Sequence, residues 1–247
     1  MTKEVSKTQV DRLGDRLKRG NITEEDLRLL DQYRRSFTEA YETVVGIIRD
    51  QLRLEPTGRP AKSTTSIADK LKRERIRLTQ IQDIAGCRII VADIAKQESV
   101  VRSLTGTFPQ ATVVDRREKP SHGYRAVHVV VNHDGKLIEI QVRTSLQHVW
   151  AELSEKFSDV IDSSIKYGGG DARIQKILQG AAETIAYEES EERKIIDIWA
   201  SSPANKQPPD YEQNVNVLRE RLKQIRQIIY QDYKDIINAV PKMKEEL

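Results

Sequence analysis

The run YRAVHVVVNHDGKLIEIQVRT, residues 124–144, leaves a chain few choices of fold. Two alternating stretches flank Asp134-Gly135, a dipeptide that favours the tight turn joining antiparallel strands. In the second stretch Ile138, Ile140 and Val142 face one side, and Glu139, Gln141 and Arg143 the other. In the first, read as one strand from Tyr124, His128 falls on the face of Tyr124. Upstream, AGCRIIVAD and ATVVDRRE are also β-rich, and AKQESVVRSLTGTF between them carries a helical pattern. A strand, a helix, a second strand and a hairpin predict a mixed α/β sheet.

Helices are expected on both sides of it. SKTQVDRLGDRLKRG has apolar positions at Val10, Leu13 and Leu17 and a stop at Gly20. Thr23 and Asp26 form a capping-box pattern that opens a helix running to Leu54, where EPTGRP breaks it. After Thr144, SLQHVWAELSEKFSDVI sets Leu146, Val149, Trp150 and Leu153 on one face, and YGGGD interrupts it. An amphipathic stretch then covers Ala172 to Trp199, and SSPANKQPPD reads as a linker. The last helix, Tyr211 to Val240, carries Val217, Leu218, Leu222, Ile225, Ile228 and Ile229 at helical spacing. The expected organisation is N-terminal helices over 1–55, a core over 56–165 and a C-terminal helical region over 166–247. The last two helices are too apolar to stay bare, which predicts a homo-oligomer.

Composition narrows the classes. The chain has 247 residues, 38% hydrophobic and 32% charged, enough for one sizeable core with appendages. A single cysteine, Cys87, excludes an intramolecular disulfide framework and a cysteine-based zinc site. The start lacks the apolar core of a signal peptide, and no run reaches membrane-spanning length, so the expected place is the cytoplasm, away from membranes. The net charge is only +3, so attraction to phosphate must come from local clustering.

The densest cluster is KSTTSIADKLKRERIRL, with Lys62, Lys70, Lys72, Arg73, Arg75 and Arg77. With Ser66 capping a helix from Ile67, Lys70 and Arg73 share a face, and helix-start amides plus these cations suit a polyphosphate. A solvated basic helix accounts for the run equally well, and the glycines form no Walker A loop. Asp83 precedes the strand that carries Arg88; alone it reads as a cap or turn residue. If that strand neighbours the one bearing Glu139, the two carboxylates can share a magnesium ion, with substrate phosphates completing its shell. Tyr124 suits either stacking on a base or edge packing, and His128 is a candidate contact to phosphate or hydroxyl rather than a metal ligand.

The segments KSTTSIADKLKR, DIAGCR, HGYRAVH, IEIQVRT and QHVWAEL stand in the order and spacing of the RelA/SpoT-type alarmone synthetase domain, which residues 30 to 165 resemble. With no room for the hydrolase and regulatory domains of the long enzymes, the chain resembles a stand-alone small alarmone synthetase. The resemblance implies a nucleotidyltransferase-like α/β (α+β) fold, a mixed β-sheet flanked by helices. It implies transfer of the β,γ-diphosphate of ATP to the 3′-hydroxyl of GDP or GTP, giving (p)ppGpp and AMP. By position, Asp83 and Glu139 hold Mg²⁺, and Glu139 also draws the proton from the hydroxyl. Lys62, Ser66, Lys70 and Arg73 match ATP-phosphate positions, and Arg88 matches one that packs on adenine. Tyr124 matches the residue that stacks on the acceptor guanine, with His128, Gln141 and Arg143 in the same groove.

Two positions depart from the pattern. Where the family places a second adenine-clamping arginine, this chain has Ala61, and Arg59 stands nearest to take its place. Glu155 occupies a place often held by histidine, where a carboxylate should weaken binding of an anionic acceptor. These departures keep open a toxin that moves the same diphosphate to the 3′ end of tRNA, relatives that make adenosine alarmones, and a non-catalytic nucleotide-binding module. A tRNA reader calls for a basic surface, for which Arg219, Arg221, Lys223 and Arg226 are the candidates; a solvated helix face accounts for them too.

Overall fold

A computed structural model describes residues 5–59, 61–201 and 211–246. Of the expected linker at 201–210, Ser201 is helical, and residues 202–210, with Pro60 and the side chain of Arg59, lie outside the described residues. The chain divides into two compact units. The first is Met1–Ile89, Ser103–Val114 and His128–Gln141; the second is Ile90–Arg102, Asp115–Val127 and Val142–Leu247.

The first unit opens with α1 (Lys7–Arg19), capped by a reciprocal Ser6–Gln9 box and closed by Gly20 in the left-handed region. Thr23 and Asp26 form the expected capping box of α2 (Glu24–Arg35). Asp26 also receives the guanidinium of Arg16 at 2.6 Å, which ties α1 to α2. One expectation fails here. The helix does not run unbroken to Leu54 but stops at Arg35 and restarts as α3 (Thr38–Leu52). The Ser36 hydroxyl donates to the Tyr33 carbonyl at 2.7 Å, and the Phe37 amide donates to Arg34, tightening the turn. The turn lets Phe37 bury edge-on against Tyr33, ring centroids 5.2 Å apart.

EPTGRP does more than break a helix. Its last residues form β1 (Thr57–Arg59), antiparallel to β2 (Ala85–Val91), with Gly58 opposite Cys87. Between them, α4 (Thr64–Glu74) is capped by Ser63 and not by Ser66. The Lys62 amide donates to the Ile84 carbonyl at 2.7 Å, and Ser63 continues in extended geometry, so its hydroxyl meets the Ser66 amide.

After α5 (Ile94–Thr107) come β3 (Thr112–Asp115), β4 (Val127–His133) and β5 (Lys136–Thr144). The five strands form one sheet in the order β1-β2-β5-β4-β3, a mixed α+β arrangement flanked by helices, as the alternation implied. Asp134 and Gly135, at φ 49° and 74°, make the β4–β5 turn. β4 starts at Val127, so Tyr124 and His128 do not share a strand face: Tyr124 sits instead in an isolated bridge to Ser121. The cause is local. His122 and Gly123 turn the chain at φ 51° and 88°, which no strand accommodates.

The second unit packs α6 (Ser145–Val160), α7 (Ala172–Ser201) and α8 (Tyr211–Glu246). Leu146, Val149, Trp150 and Leu153 are buried with Ile174, Leu178 and Ile185, and Val240 joins them from α8. That helix runs past the expected end at Val240, with Pro241 inside it. Its earlier turns leave Val217, Leu218, Ile225 and Ile228 exposed.

Candidate active site

In the first unit two carboxylates stand at the neighbouring strands β2 and β5, one before the first and one on the second. Asp83 ends the loop into β2, and Glu139 lies on β5, the strand beside it. The strands approach closely enough that a Cβ on Gly86 would meet the Glu139 carbonyl oxygen at 2.5 Å. Glu139 is not a solvated strand residue: it is 9% exposed.

Each carboxylate has its own partners. The Lys62 ammonium lies 2.5 Å from one oxygen of Asp83 and the Lys70 ammonium 2.9 Å from the other. Burial pushes the Asp83 carboxyl up, but the charges and hydrogen bonds of the two lysines outweigh it and leave the group below its ordinary range. Glu139 meets His128 Nδ1 at 2.9 Å through one oxygen and accepts from the Gln141 amide at 2.7 Å through the other. Burial raises this carboxyl as well; the hydrogen bond and charge of His128 more than offset that, while Asp83 opposes them by repulsion. Both acids are therefore held as anions at neutral pH, a hard oxygen pair beside two cations. That donor set fits a divalent ion finished by phosphate oxygens. Among the described residues no cluster of three or more His, Cys, Asp or Glu forms a cage for a metal without such help.

The other expected residues divide. Ser66 lies in the first turn of α4, its hydroxyl 2.7 Å from that of Ser63. Arg73 is exposed and pairs with Glu74 at 3.0 Å rather than joining the lysines on Asp83. Arg88 sits on β2 opposite Thr57, and the backbone of Arg59 opposite Gly86. A cavity of about 960 Å³ in this unit, lined by Arg28, Tyr33, Phe37 and Lys136 among others, includes none of them.

Tyr124 and Arg143 belong to the second unit and meet there. The Arg143 guanidinium lies over the Tyr124 ring, 5.0 Å from its centroid, and donates to the phenol oxygen at 2.9 Å. Gly123 allows close approach, as expected, but the approach is to protein: a Cβ there would lie 2.8 Å from the Trp150 ring and 2.9 Å from Ala182. Glu155 is exposed on α6. The run at 219–226 does not form one basic surface, because Arg226 turns in to Glu188, Glu192 and Asp93, and Lys223 pairs with Glu220. Sequence reasoning did not foresee that His128 holds Glu139; strand alternation on adjacent strands was the available signal.

Residues 58–159 match the family model described as "Region found in RelA / SpoT proteins". That stretch is similar to RelA/SpoT proteins. It begins in β1, ends in α6 and contains every site residue expected from the sequence. An uncharacterised protein of Mycobacterium tuberculosis is 33% identical over 158 residues, 58% of each chain. "Probable GTP diphosphokinase RSH2, chloroplastic" of Arabidopsis thaliana is 35% identical over 96 residues, 37% of this chain and 13% of that one. The chain thus spans 58% or less of the length of these curated relatives. The crystal structure of small alarmone synthetase 1 from Bacillus subtilis aligns with a TM-score of 0.50 at 25% identity, covering 73% of this chain and all of that one. The matched stretch therefore stands in a fold similar to that of a small alarmone synthetase. Among the described residues no helix is long and apolar enough to cross a membrane.

Proposed function

We propose that this chain transfers the β,γ-diphosphate of ATP to the 3′-hydroxyl of GDP or GTP and releases AMP. The observation that carries the reading is the pair of ionised carboxylates, half-buried Asp83 in the turn before β2 and buried Glu139 on the neighbouring β5, with Lys62 and Lys70 on Asp83. The chemistry needs positioning and charge neutralisation more than a covalent intermediate. The hydroxyl oxygen forms a bond to the β-phosphorus, the bond from that phosphorus to the α–β bridging oxygen breaks, and AMP leaves with the oxygen. Lys62 and Lys70 exchange a carboxylate for phosphate oxygens, and Ser66 and Arg73 stand on the same helix to extend the phosphate contacts. Glu139, held by His128 and Gln141, orients the hydroxyl and takes its proton as the bond forms. Asp83 and Glu139 would hold Mg²⁺, which supplies neutralisation of phosphate charge. Arg88, with Arg59 near Ala61, serves adenine, and the Tyr124–Arg143 pair serves the guanine.

Glu139→Gln preserves size and removes the charge. It is expected to abolish AMP release from ATP plus GDP with an unchanged circular-dichroism spectrum; full turnover by this variant would defeat the mechanism. The inward turn of Arg226 removes a main candidate contact for tRNA, and offering tRNA beside GDP and GTP to γ-labelled ATP decides between acceptors. The exposed Val217, Leu218, Ile225 and Ile228 support self-association through α8, which light scattering checks.

A further inference from the structure

The matched stretch ends at residue 159, yet the residues that hold Tyr124 in place do not all lie within it. Arg125 follows Tyr124 in the chain. Its guanidinium donates twice to one oxygen of Glu189 on α7, from Nε at 3.0 Å and from a terminal nitrogen at 2.5 Å. A further bond at 3.1 Å reaches the Arg117 carbonyl in the same loop. Glu189 is 3% exposed, and its other oxygen accepts from the Gln147 amide at 2.7 Å. Gln147 in turn belongs to the capping box of α6: its side-chain oxygen accepts from the Thr144 amide at 3.1 Å, and its own amide donates to the Thr144 hydroxyl at 3.2 Å. Thr144 follows Arg143, which donates to the Tyr124 phenol.

These contacts close a ring within the second unit: Tyr124, Arg125, Glu189, Gln147, Thr144, Arg143 and back to Tyr124. We propose that Arg125 and Glu189 are a positioning pair for the acceptor side of the reaction, with Glu189 setting from α7 the geometry of the Tyr124–Arg143 pair. The proposal rests on the reading of Tyr124 as the residue that stacks on the acceptor base. Two features give the pair its importance. The turn bearing Tyr124 leaves regular structure, with His122 and Gly123 both at positive φ, so no strand ladder fixes it. Beside it lies a cavity of about 460 Å³, lined by Pro120, His122, Gln175 and Glu183 among others, so that part of the turn faces open space. A buried two-donor ion pair with both oxygens of its acid engaged then adds a directional constraint to the bridge at Ser121 and the packing on Trp150. Neither Arg125 nor Glu189 touches the nucleotide in this account.

Three variants test it in the full chain. Glu189→Gln keeps the size and removes the charge that Arg125 needs. Glu188→Gln, the neighbouring buried acid, pairs with Arg226 and stands outside the ring, so it controls for general loss of stability on α7. Tyr124→Ala tests the underlying reading. Deuterium exchange over residues 120–127 is expected to quicken in Glu189→Gln and to stay as in the wild type in Glu188→Gln. The acceptor KM is expected to rise about tenfold in Glu189→Gln, the loss of about 1.4 kcal/mol of binding, with the KM for ATP within twofold. Unchanged exchange in Glu189→Gln, or an equal change in both glutamate variants, would overturn the proposal. So would an unaltered acceptor KM in Glu189→Gln when Tyr124→Ala raises it. If exchange quickens as expected but Tyr124→Ala leaves the acceptor KM alone, the pair stands as a structural constraint and the assignment of Tyr124 is what has failed.

Discussion

Asp83 and Glu188 are both largely buried carboxylates beside cations, and they respond in opposite ways. Asp83 sits between two lysines and is held below its ordinary range. Glu188 shares one guanidinium, that of Arg226, with Glu192 and Asp93, and lies near Glu189. Its carboxyl is pushed up to about 7, burial first, with the charges of Glu192 and Glu189 adding to it and Arg226 opposing. Burial raises both groups, so burial does not separate them; the ratio of cations to acids does. An acid with two cations is fixed as an anion ready to exchange partners. An acid that shares its one cation with others, as Glu188 does, holds its proton more tightly and serves as structure.

The sharpest way to break the comparison is to make Asp83 neutral. Asp83→Asn leaves Lys62 and Lys70 without their counter-charge and removes half of the oxygen pair. Diphosphate transfer, followed as AMP release, is expected to fall by at least about 10²–10³-fold, the scale of losing one preorganised electrostatic group. Some stability should be lost as well, because Lys62 and Lys70 are only 16% and 20% exposed and keep no counter-charge, so a circular-dichroism melt accompanies the assay.

Arg226→Met reverses the emphasis. Removing the cation strands Glu188 and Glu192 in a buried site, at a cost on the order of 3–5 kcal/mol near pH 8. Denaturation at pH 8 and at pH 5.5 checks this: the loss should shrink at the lower pH, where the acids take up protons. Equal losses at the two pH values would mean that Arg226 acts through packing alone.

The two regions also differ in how far the sequence reveals them. Strand alternation, Asp134-Gly135 and the Thr23–Asp26 box foretold the hairpin, the sheet and α2, because each is decided by residues within a few positions of one another. The same locality explains the errors. Nothing near Tyr33 announces that burial of Phe37 interrupts the helix at Ser36. Ser63 and Ser66 are equally good caps by type, and the Lys62 amide bound to distant Ile84 decides between them. Tyr124 read as a strand residue because HGYRAVH leads into a true strand; the turn at His122–Gly123 shows only in the backbone. The places of Asp83, just before β2, and Glu139, on β5, follow from the strand patterns around them, and the sheet order supplies the adjacency that their shared-ion reading needs. The Glu189–Arg125 pair was not, since the residues lie far apart in sequence and an acid on an amphipathic helix reads as solvated.

The smallest effect is the most direct measure of the contrast, because it needs no variant to appear. Glu188 carries a folded-state value of about 7 against an ordinary 4.5, so between these values the folded chain keeps a proton that the unfolded chain has released. Stability from this group is complete below the lower value and is lost as pH rises through the upper one. Asp83 works in the other direction: its contribution is present above the ordinary value of 3.8 and disappears as pH falls through its lowered one. Between pH 5 and pH 8 only the first of these operates, since Asp83 is ionised in both states throughout. The thermal midpoint should therefore fall modestly from pH 5 to pH 8, and Glu188→Gln should flatten the slope, because an amide has no proton to lose there. A midpoint that rises over this interval, or a slope that Glu188→Gln leaves intact, would place the titrating group elsewhere and remove the contrast between the two acid sites.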